Sequence, residues 1–205
     1  MLSVIIVGVN GWEQYTRPLV ADIWKWHPDM ELVVIDNGSK EPYPTAPHIH
    51  RIPEMVCYSA AINKGVEIAS NSWILLLNND VRCNGSFEDA VKGLDDKTLY
   101  ARQIITEKGH VWFGAWLLLM SRKSYSMIGG WDENFQMAGF DDTDFAVRAK
   151  AIGIETKPID LPFTHLWGRT RWITPGYPEA RLRNIDYFEK KHGWRPGDDM
   201  QVIHD

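Results

Sequence analysis

Three polar residues at the end of an apolar run are the first feature of this 205-residue sequence that could do chemistry. Asn78, Asn79 and Asp80 directly follow residues 73–77, a continuous apolar segment of the length of a buried strand. Ligands of open α/β sheets bind just beyond the carboxyl ends of the strands, where a carboxylate suits a divalent cation. Asn and Asp are also common in turns, so this segment alone supports a turn and a ligand site equally.

A second acidic group lies at the start of a predicted helix over residues 141–152. Asp141, Asp142 and Asp144 fall in its first turn, where they meet the positive end of the helix dipole. Helix capping is one interpretation. Three carboxylates so close together exceed what a cap needs, and their mutual repulsion favours a raised pKa, which suits a general base.

The sequence also contains ten tryptophans, several of them in polar, glycine-containing surroundings between positions 112 and 172. The flat apolar face of an indole suits contact with the C–H face of a sugar ring. Trp116 and Trp131 are the candidates for such a sugar platform. Packing in the core is the alternative for any single tryptophan.

Alternating strand and helix patterns predict the elements that position these residues. Strands are predicted at 2–9, 30–35, 49–52, 73–77, 99–105, 110–120 (interrupted at Gly114) and 154–159, and helices at 12–26, 57–69, 87–94, 141–152 and 178–192. This order predicts an α/β fold with a mostly parallel central sheet and helices on its faces. Gly65, inside the second helix, indicates a close approach of backbone or ligand.

Composition narrows the class of protein. The length suits a single domain, and a formal charge of −5 provides no basic field for nucleic acid. Only two cysteines occur, which excludes a disulfide scaffold and suits a reducing compartment. We find neither a signal peptide nor a membrane span, so the expected location is cytoplasmic. Whether the chain is complete or part of a longer multidomain protein stays open.

Four separated segments, taken in order, resemble the family 2 glycosyltransferases. They are VVIDNGS at 33–39, AINKG at 61–65 leading into WILLLNND at 73–80, IGGWDENF at 128–135 followed by DDTDFAVR at 141–148, and HLWGRT at 165–170. The resemblance is closest to the branch with rhamnosyltransferase-like enzymes, where an Asn-Asn-Asp run often stands in for the family's Asp-x-Asp. It implies a GT-A fold with a nucleotide-binding half (about 1–80) and an acceptor and catalytic half (about 81–205).

The activity implied by the resemblance is an inverting hexosyl transfer. The donor would be a nucleoside-diphosphate sugar, a UDP- or dTDP-sugar first of all, and the acceptor a hydroxyl of a glycan. Asp142 matches the Asp of the family's Glu-Asp pair, the general base. Asp141 replaces the Glu, so either neighbour could do this work.

A metal site is also implied. Asp80 matches the last Asp of Asp-x-Asp, which coordinates Mn²⁺ or Mg²⁺ on the donor diphosphate. His165 matches a late histidine that can supply a second ligand, although a lone histidine is more often structural. Asn78 stands where the motif has its first Asp, so the site holds one fewer negative charge.

Further residues are implied in donor binding. Asp36 matches the carboxylate that binds the base or ribose, for which an acceptor-only group is suited. Arg169 and Arg171 could neutralise the diphosphate as the bond breaks, or they could be solvated surface charges. The other implied donor contacts are Val7, Asn63, Lys64, Asn78 and Asn79.

Two other functions fit parts of the sequence. A transferase fold could hold a sugar nucleotide or glycan without turnover, which Asn78 allows and the acidic cluster at 141–144 argues against. A nucleotidyltransferase would need a glycine-rich phosphate loop after the first strand, and VGVNGW at 7–12 is a poor version of one.

Overall fold

The computed structural model describes residues 1–105, 111–166 and 176–196, and within them the side chains of all residues except 103–105 and 111–113. The strands are β1 (Leu2–Gly8), β2 (Glu31–Asn37), β3 (Ile49–Ile52), β4 (Trp73–Asn78), β5 (Val81–Cys83), β6 (Thr98–Ile105), β7 (Val111–Ser121), β8 (Glu155–Pro158) and β9 (Phe163–His165). The α-helices are α1 (Arg17–Trp26), α2 (Tyr58–Ile68), α3 (Arg122–Ile128), α4 (Asp141–Ala151) and α5 (Tyr177–His192), and a π-helical segment (Trp12–Thr16) runs directly into α1.

Seven of the strands form one sheet in the order β3-β2-β1-β4-β7-β6-β8. The strands β3, β2, β1 and β4 are parallel, β7 runs antiparallel to β4 and to β6, and β8 is parallel to β6. Because β1 pairs with both β2 and β4, the chain changes direction across the sheet at β1. The carboxyl ends of β1 and β4 therefore border the crevice where open α/β sheets bind ligands.

Apolar side chains on both faces of β1 and β4 explain why these two strands lie at the centre. One face packs with Leu19 and Ile23 of α1, and the opposite face packs with α2 and with Phe145 of α4. Strands covered on both sides need no polar face, which is why their sequences are continuous apolar runs. The predicted α/β fold with a mostly parallel sheet is confirmed.

The irregularity predicted at Gly114 is a bulge in β7. Ala101 of β6 pairs with Leu118, whereas the next residue, Arg102, pairs with Gly114. Residues 115–117 are thus extra on the β6 side, although Leu117 still pairs with Leu77 of β4. A bulge bends a strand and redirects its side chains, and here it lies beside the end of β4.

Gly65 marks a close approach of α2 to the sheet, as its sequence position indicated. A Cβ atom at this residue would lie 2.5 Å from Cγ2 of Ile5 in β1. The absence of a side chain at Gly65 therefore lets the helix backbone pack directly on the central strand.

The helix predicted over 87–94 is wrong. This segment forms consecutive turns, in which Ala90 N–H donates to the Phe87 carbonyl and Lys92 N–H to the Asp89 carbonyl. The Phe87 ring packs against His27 and Phe163, so tertiary contacts rather than helix propensity hold the segment. A helix of two turns is marginal in any case.

No helix in the described part of the chain has both the length and the apolar character to cross a membrane.

Candidate functional site

Asp80 and His165 meet at the carboxyl edge of the sheet. Asp80 follows β4, His165 ends β9, and the antiparallel pairing of β5 with β9 places Val81 opposite His165. As a result Oδ1 of Asp80 lies 3.2 Å from Nε2 of His165, and both side chains are at least nine-tenths buried. The N–H of Leu166 donates to the Asp80 carbonyl and fixes the same junction.

The bulge in β7 supports this pair with an aromatic ring. Trp116 lies in the bulge, and its indole stacks on the His165 imidazole with ring centroids 4.9 Å apart and planes within 4°. Since Trp116 is 8% exposed, one face of the ring is used by the histidine and little remains open to solvent. Trp116 therefore orients His165, and its use as a sugar platform stays a prediction.

The donor atoms of this corner fit a divalent cation. A carboxylate oxygen and an imidazole nitrogen converge, and this pair of ligand types suits Mn²⁺. The described residues contain no cluster of three or more His, Cys, Asp or Glu side chains that could hold a metal by themselves. The remaining coordination positions would therefore fall to diphosphate oxygens and water, an arrangement that phosphate-bound cations commonly use.

Asn78 and Asn79 both face protein partners. The hydroxyl of Tyr58 donates to Oδ1 of Asn78 at 2.8 Å. Nδ2 of Asn79, which is buried, donates to Oγ1 of Thr16 at 3.2 Å, ahead of α1. The neutral amide of Asn78 thus serves as the hydrogen-bond acceptor for the Tyr58 hydroxyl. Direct contact of either amide with a donor stays a prediction, as does that of Val7, a buried strand residue paired with Asn78.

Asp36 is fully buried at the end of β2 and shapes the loop that follows. Its Oδ1 accepts the N–H of Ser39 at 3.0 Å, and its Oδ2 accepts the N–H of Tyr43 at 3.0 Å and Nη1 of Arg51 at 2.5 Å. Burial raises the pKa of Asp36, but these hydrogen bonds outweigh it and hold the pKa below its usual value. Contact of Asp36 with a base or ribose stays a prediction, since both oxygens already have partners.

Two of these partners were not singled out from the sequence. Arg51 lies on the edge strand β3, and the register of β2 with β3 places it opposite Asp36. Tyr43 lies in a proline-containing loop whose conformation no sequence pattern reveals. Its hydroxyl contacts the Asn10 carbonyl at 2.8 Å and Oγ1 of Thr16 at 3.0 Å, and burial raises the pKa of Tyr43 to about 12.

The acidic turn of α4 divides into carboxylates with different surroundings. Asp144 is fully buried, forms ion pairs with Arg148 at 2.8 Å and Lys191 at 2.6 Å, and is hydrogen-bonded to Nε2 of His192 at 2.8 Å. Oδ1 of Asp141, also buried, accepts the N–H of Gly139 at 2.8 Å. Asp144 therefore has a structural role that accounts for the third acidic residue.

Asp142 is the carboxylate of this turn that remains partly exposed. Its Oδ1 accepts the N–H of Thr143 at 2.8 Å. Because a general base must reach the proton that it removes, partial exposure makes Asp142 a better candidate than the buried Asp141.

Asn63 and Trp131 are joined by two hydrogen bonds, and contact of Asn63 with a donor stays a prediction. The side chain of Asn63 accepts the N–H of Trp131 at 3.0 Å and donates to its carbonyl at 2.9 Å. The Trp131 ring stacks on Phe145 within the core, at 4.8 Å and 10°, and is 3% exposed. This burial argues against Trp131 as a sugar platform. Lys64 is exposed and pairs with Glu67 at 2.9 Å.

Tyr58 connects the two corners of the site. Its hydroxyl binds Asn78 at the end of β4, while its backbone N–H donates to the Met137 carbonyl at 2.5 Å, in the loop before α4. The end of β4 beside Asp80 and the loop before the acidic turn are thus joined through one residue. Arg169 and Arg171, predicted to contact diphosphate, lie outside the described residues.

Solved structures with a similar fold are glycosyltransferases. Mannosyltransferase PcManGT from Pyrobaculum calidifontis, in complex with GDP-Man and Mn²⁺, aligns with a TM-score of 0.67 and 15% identity over 95% of this chain and 65% of that one. GalNAc-T7 with UDP, GalNAc and Mn²⁺ gives 0.65 and 14% over 93% and 50%. A Drosophila β1,4-galactosyltransferase 7 mutant with manganese, UDP-Gal and xylobiose gives 0.58 and 14% over 97% and 83%. The chain therefore spans one half to about two thirds of the first two of these proteins.

Because the sequence identities are low, these similarities establish the fold alone. A search of curated proteins gives no match to the sequence. The family model described as glycosyl transferase family 2 matches residues 3–152, which is most of the chain and includes most of β1, Asp80 and the acidic turn of α4, whereas His165 lies beyond the match. The match does not distinguish the rhamnosyltransferase-like branch from others. The chain belongs to glycosyl transferase family 2 and has the GT-A fold.

Proposed function

We propose that this chain transfers a hexosyl group, with inversion, from a nucleoside-diphosphate sugar to a hydroxyl of a glycan acceptor. The observation that carries the proposal is the convergence of Asp80 and His165 at the sheet edge, joined through Tyr58 to the loop before Asp142. A UDP- or dTDP-sugar is the donor that we favour. Proteins of similar fold have been solved with GDP-Man, UDP and UDP-Gal, so the nucleotide base of the donor is to be determined by direct binding measurements.

Asp80 and His165 would hold a divalent cation, Mn²⁺ in preference to Mg²⁺ because an imidazole is one ligand. When bound, this cation supplies positive charge that stabilises the leaving diphosphate, an effect worth several kcal/mol in such sites. Trp116 keeps the His165 ring in one orientation, so the imidazole does not have to be ordered on binding.

Asp142 takes the proton from the acceptor hydroxyl as its oxygen attacks the anomeric carbon from the face opposite the diphosphate. The bond from that carbon to the diphosphate oxygen breaks, and the diphosphate leaves with the electron pair. A positioned base of this kind contributes about 10²–10⁴-fold in rate.

The test is transfer and donor binding by the wild type and by Asp142→Asn, each with Mn²⁺ and with chelator. We expect the variant to lose about 10²–10⁴-fold in transfer rate while binding the donor as the wild type does. Asp29→Asn is a matched control, because it makes the same chemical change at an exposed carboxylate between α1 and β2. Full activity in Asp142→Asn would remove the assignment of the base. Donor binding without turnover by the wild type, across a panel of sugar nucleotides and acceptors, would favour the binding module.

A further inference from the structure

The C-terminal helix α5 lies beyond the region that matches the family model, yet its side chains contact the loop that leads into the acidic turn. This loop covers residues 136–140. Three of its residues have positive φ: Met137 at 52°, Gly139 at 109° and Phe140 at 65°. For the two that are not glycine, this backbone conformation is strained. Such a segment keeps its shape only if its surroundings hold it.

Asn184 of α5 provides those contacts. Its Oδ1 accepts the N–H of Gln136 at 2.8 Å, and the two protons of its Nδ2 are shared among the carbonyls of Gln136, Gly139 and Ala138 at 2.9, 3.0 and 3.3 Å. The side chain is fully buried, so water cannot replace it. One amide group therefore contacts the backbone of this loop on both sides of Met137, at Gln136 and at Ala138 and Gly139.

The restraint continues into the carboxylates. Gly139, whose carbonyl binds Asn184, donates its own N–H to Asp141 at 2.8 Å, and Asp142 is the next residue. The N–H of Asp144 donates to the Phe140 carbonyl at 2.9 Å, so the first turn of α4 starts from this loop. Asn184 is thus two hydrogen bonds away from Asp141.

A second set of contacts joins α5 to the same turn. Lys191 Nζ lies 2.5 Å from Asp132 and 2.6 Å from Asp144, and His192 Nε2 lies 2.8 Å from Asp144. Burial lowers the pKa of Lys191, but the two carboxylates outweigh it and raise the pKa above its usual value. Helix α5 therefore contacts α4 through Lys191 and His192, which bind Asp144, and contacts the preceding loop through Asn184.

We propose that Asn184 is a positioning residue, which sets the loop at 136–140 and through it the carboxylates of Asp141 and Asp142. The inference rests on the proposed function, in which Asp142 is the base. It adds that α5, although outside the family match, determines where that base lies relative to the acceptor hydroxyl.

The experiment compares Asn184→Ala with Asn71→Ala. Asn71 is a matched control: its Nδ2 also bridges separate segments, donating to the Leu2 carbonyl and to Glu31, but at the opposite end of the sheet. We expect kcat for transfer to fall by about 10²-fold in the Asn184 variant, because small misplacements of a catalytic group cost that much. The KM for the donor should stay near the wild-type value. Asn71→Ala should leave kcat unchanged.

Hydrogen exchange supplies a readout that does not depend on turnover. Amides of residues 136–142 should exchange faster in Asn184→Ala than in the wild type, and should not do so in Asn71→Ala. If the wild type transfers no sugar, the proposed function fails while this measurement still decides whether Asn184 holds the loop. Unchanged exchange at 136–142, or a kcat equal to that of Asn71→Ala, would overturn the inference.

A second variant covers the case in which alanine prevents folding. Asn184→Asp keeps the shape and the acceptor for Gln136, but its ionised carboxylate has no proton for the carbonyls. Burial raises the pKa of such a carboxyl group. The activity of this variant relative to wild type should therefore rise as pH falls and the carboxyl group becomes a donor. A ratio that is flat with pH contradicts the positioning role.

Discussion

The buried carboxylate of Asp36 allows a direct test of how the loop that follows β2 is held. Replacing Asp36 with Asn leaves one oxygen and one NH₂ group in place of two charged oxygens. At best the amide oxygen takes the position of Oδ2, where it can still accept from Tyr43 and Arg51. The NH₂ group then faces the N–H of Ser39, which is 1% exposed and loses its acceptor.

The expected cost follows from these contacts. A buried donor without an acceptor costs about 1–3 kcal/mol. The two remaining hydrogen bonds lose the charge that strengthens them, which adds about 1 kcal/mol. We therefore expect Asp36→Asn to lower the free energy of unfolding by about 2–4 kcal/mol.

Asp22→Asn is the control for this substitution. Asp22 pairs with Arg82 at 2.5 Å, but the side chains are 20% and 46% exposed. The same chemical change there should cost at most about 1 kcal/mol. Urea unfolding of the wild type and both variants, followed by circular dichroism, measures the comparison.

The pH dependence checks the cause. Because the pKa of Asp36 is lower in the folded protein than its ordinary value of 3.8, its contribution is present above that value. It is lost as pH falls through the folded pKa. The difference between wild type and Asp36→Asn should therefore shrink in acid. Equal losses in Asp36→Asn and Asp22→Asn would refute this account. Unchanged stability with a raised donor KM would instead make Asp36 a direct donor contact.

Two further predictions concern stability. His27 accepts the N–H of Phe87 at 2.9 Å; burial lowers the pKa of His27 from 6.5 and outweighs the opposing effect of Glu88. Since the unfolded chain then takes up the proton first, wild-type stability should fall below about pH 6.5, and less so in His27→Gln; identical pH profiles in urea unfolding would contradict this. Gly65→Ala would place a Cβ 2.5 Å from Cγ2 of Ile5. Overpacking costs about 1–3 kcal/mol and the gain in helix propensity returns about 1 kcal/mol, so the free energy of unfolding should fall by up to about 2 kcal/mol; a variant more stable than wild type would disprove this.

The central elements could be predicted because their sequences carry the signal themselves. Residues of β1 and β4 are apolar on both faces, and Gly65 identifies the point where α2 touches the sheet. The segment at 87–94 could not be predicted in the same way. Its conformation depends on the contacts of Phe87 with His27 and Phe163, which are distant in sequence.

The site shows the same division. Asp80 and His165 are 85 residues apart, and the resemblance to a family predicted that they belong together; their proximity is confirmed, while their role as metal ligands stays a prediction. Trp116 and Trp131 looked alike in the sequence. Their orientations are set by a bulge in one case and by stacking on Phe145 in the other, and no spacing rule reveals either.

The structural role of Asp144 was also beyond sequence reasoning, since its partners Lys191 and His192 lie on another helix, far along the chain. Their distance along the chain explains why the acidic cluster appeared to have one carboxylate too many. Once Asp144 is assigned to the ionic cluster with α5, Asp141 and Asp142 remain for chemistry. The greater exposure of Asp142 is the reason for proposing it, rather than Asp141, as the base.

The contact with Tyr58 offers a physical reason why position 78 is a neutral Asn rather than an Asp. Its hydroxyl needs an acceptor at the end of β4, and its backbone N–H holds the loop before the acidic turn. An amide at position 78 accepts that hydroxyl without adding negative charge beside Asp80, where a diphosphate would bind in the proposed function. A second carboxylate there would attract the cation more strongly but would also repel the diphosphate. In the proposed function, Asn78 would therefore favour a cation held jointly by Asp80, His165 and the donor diphosphate.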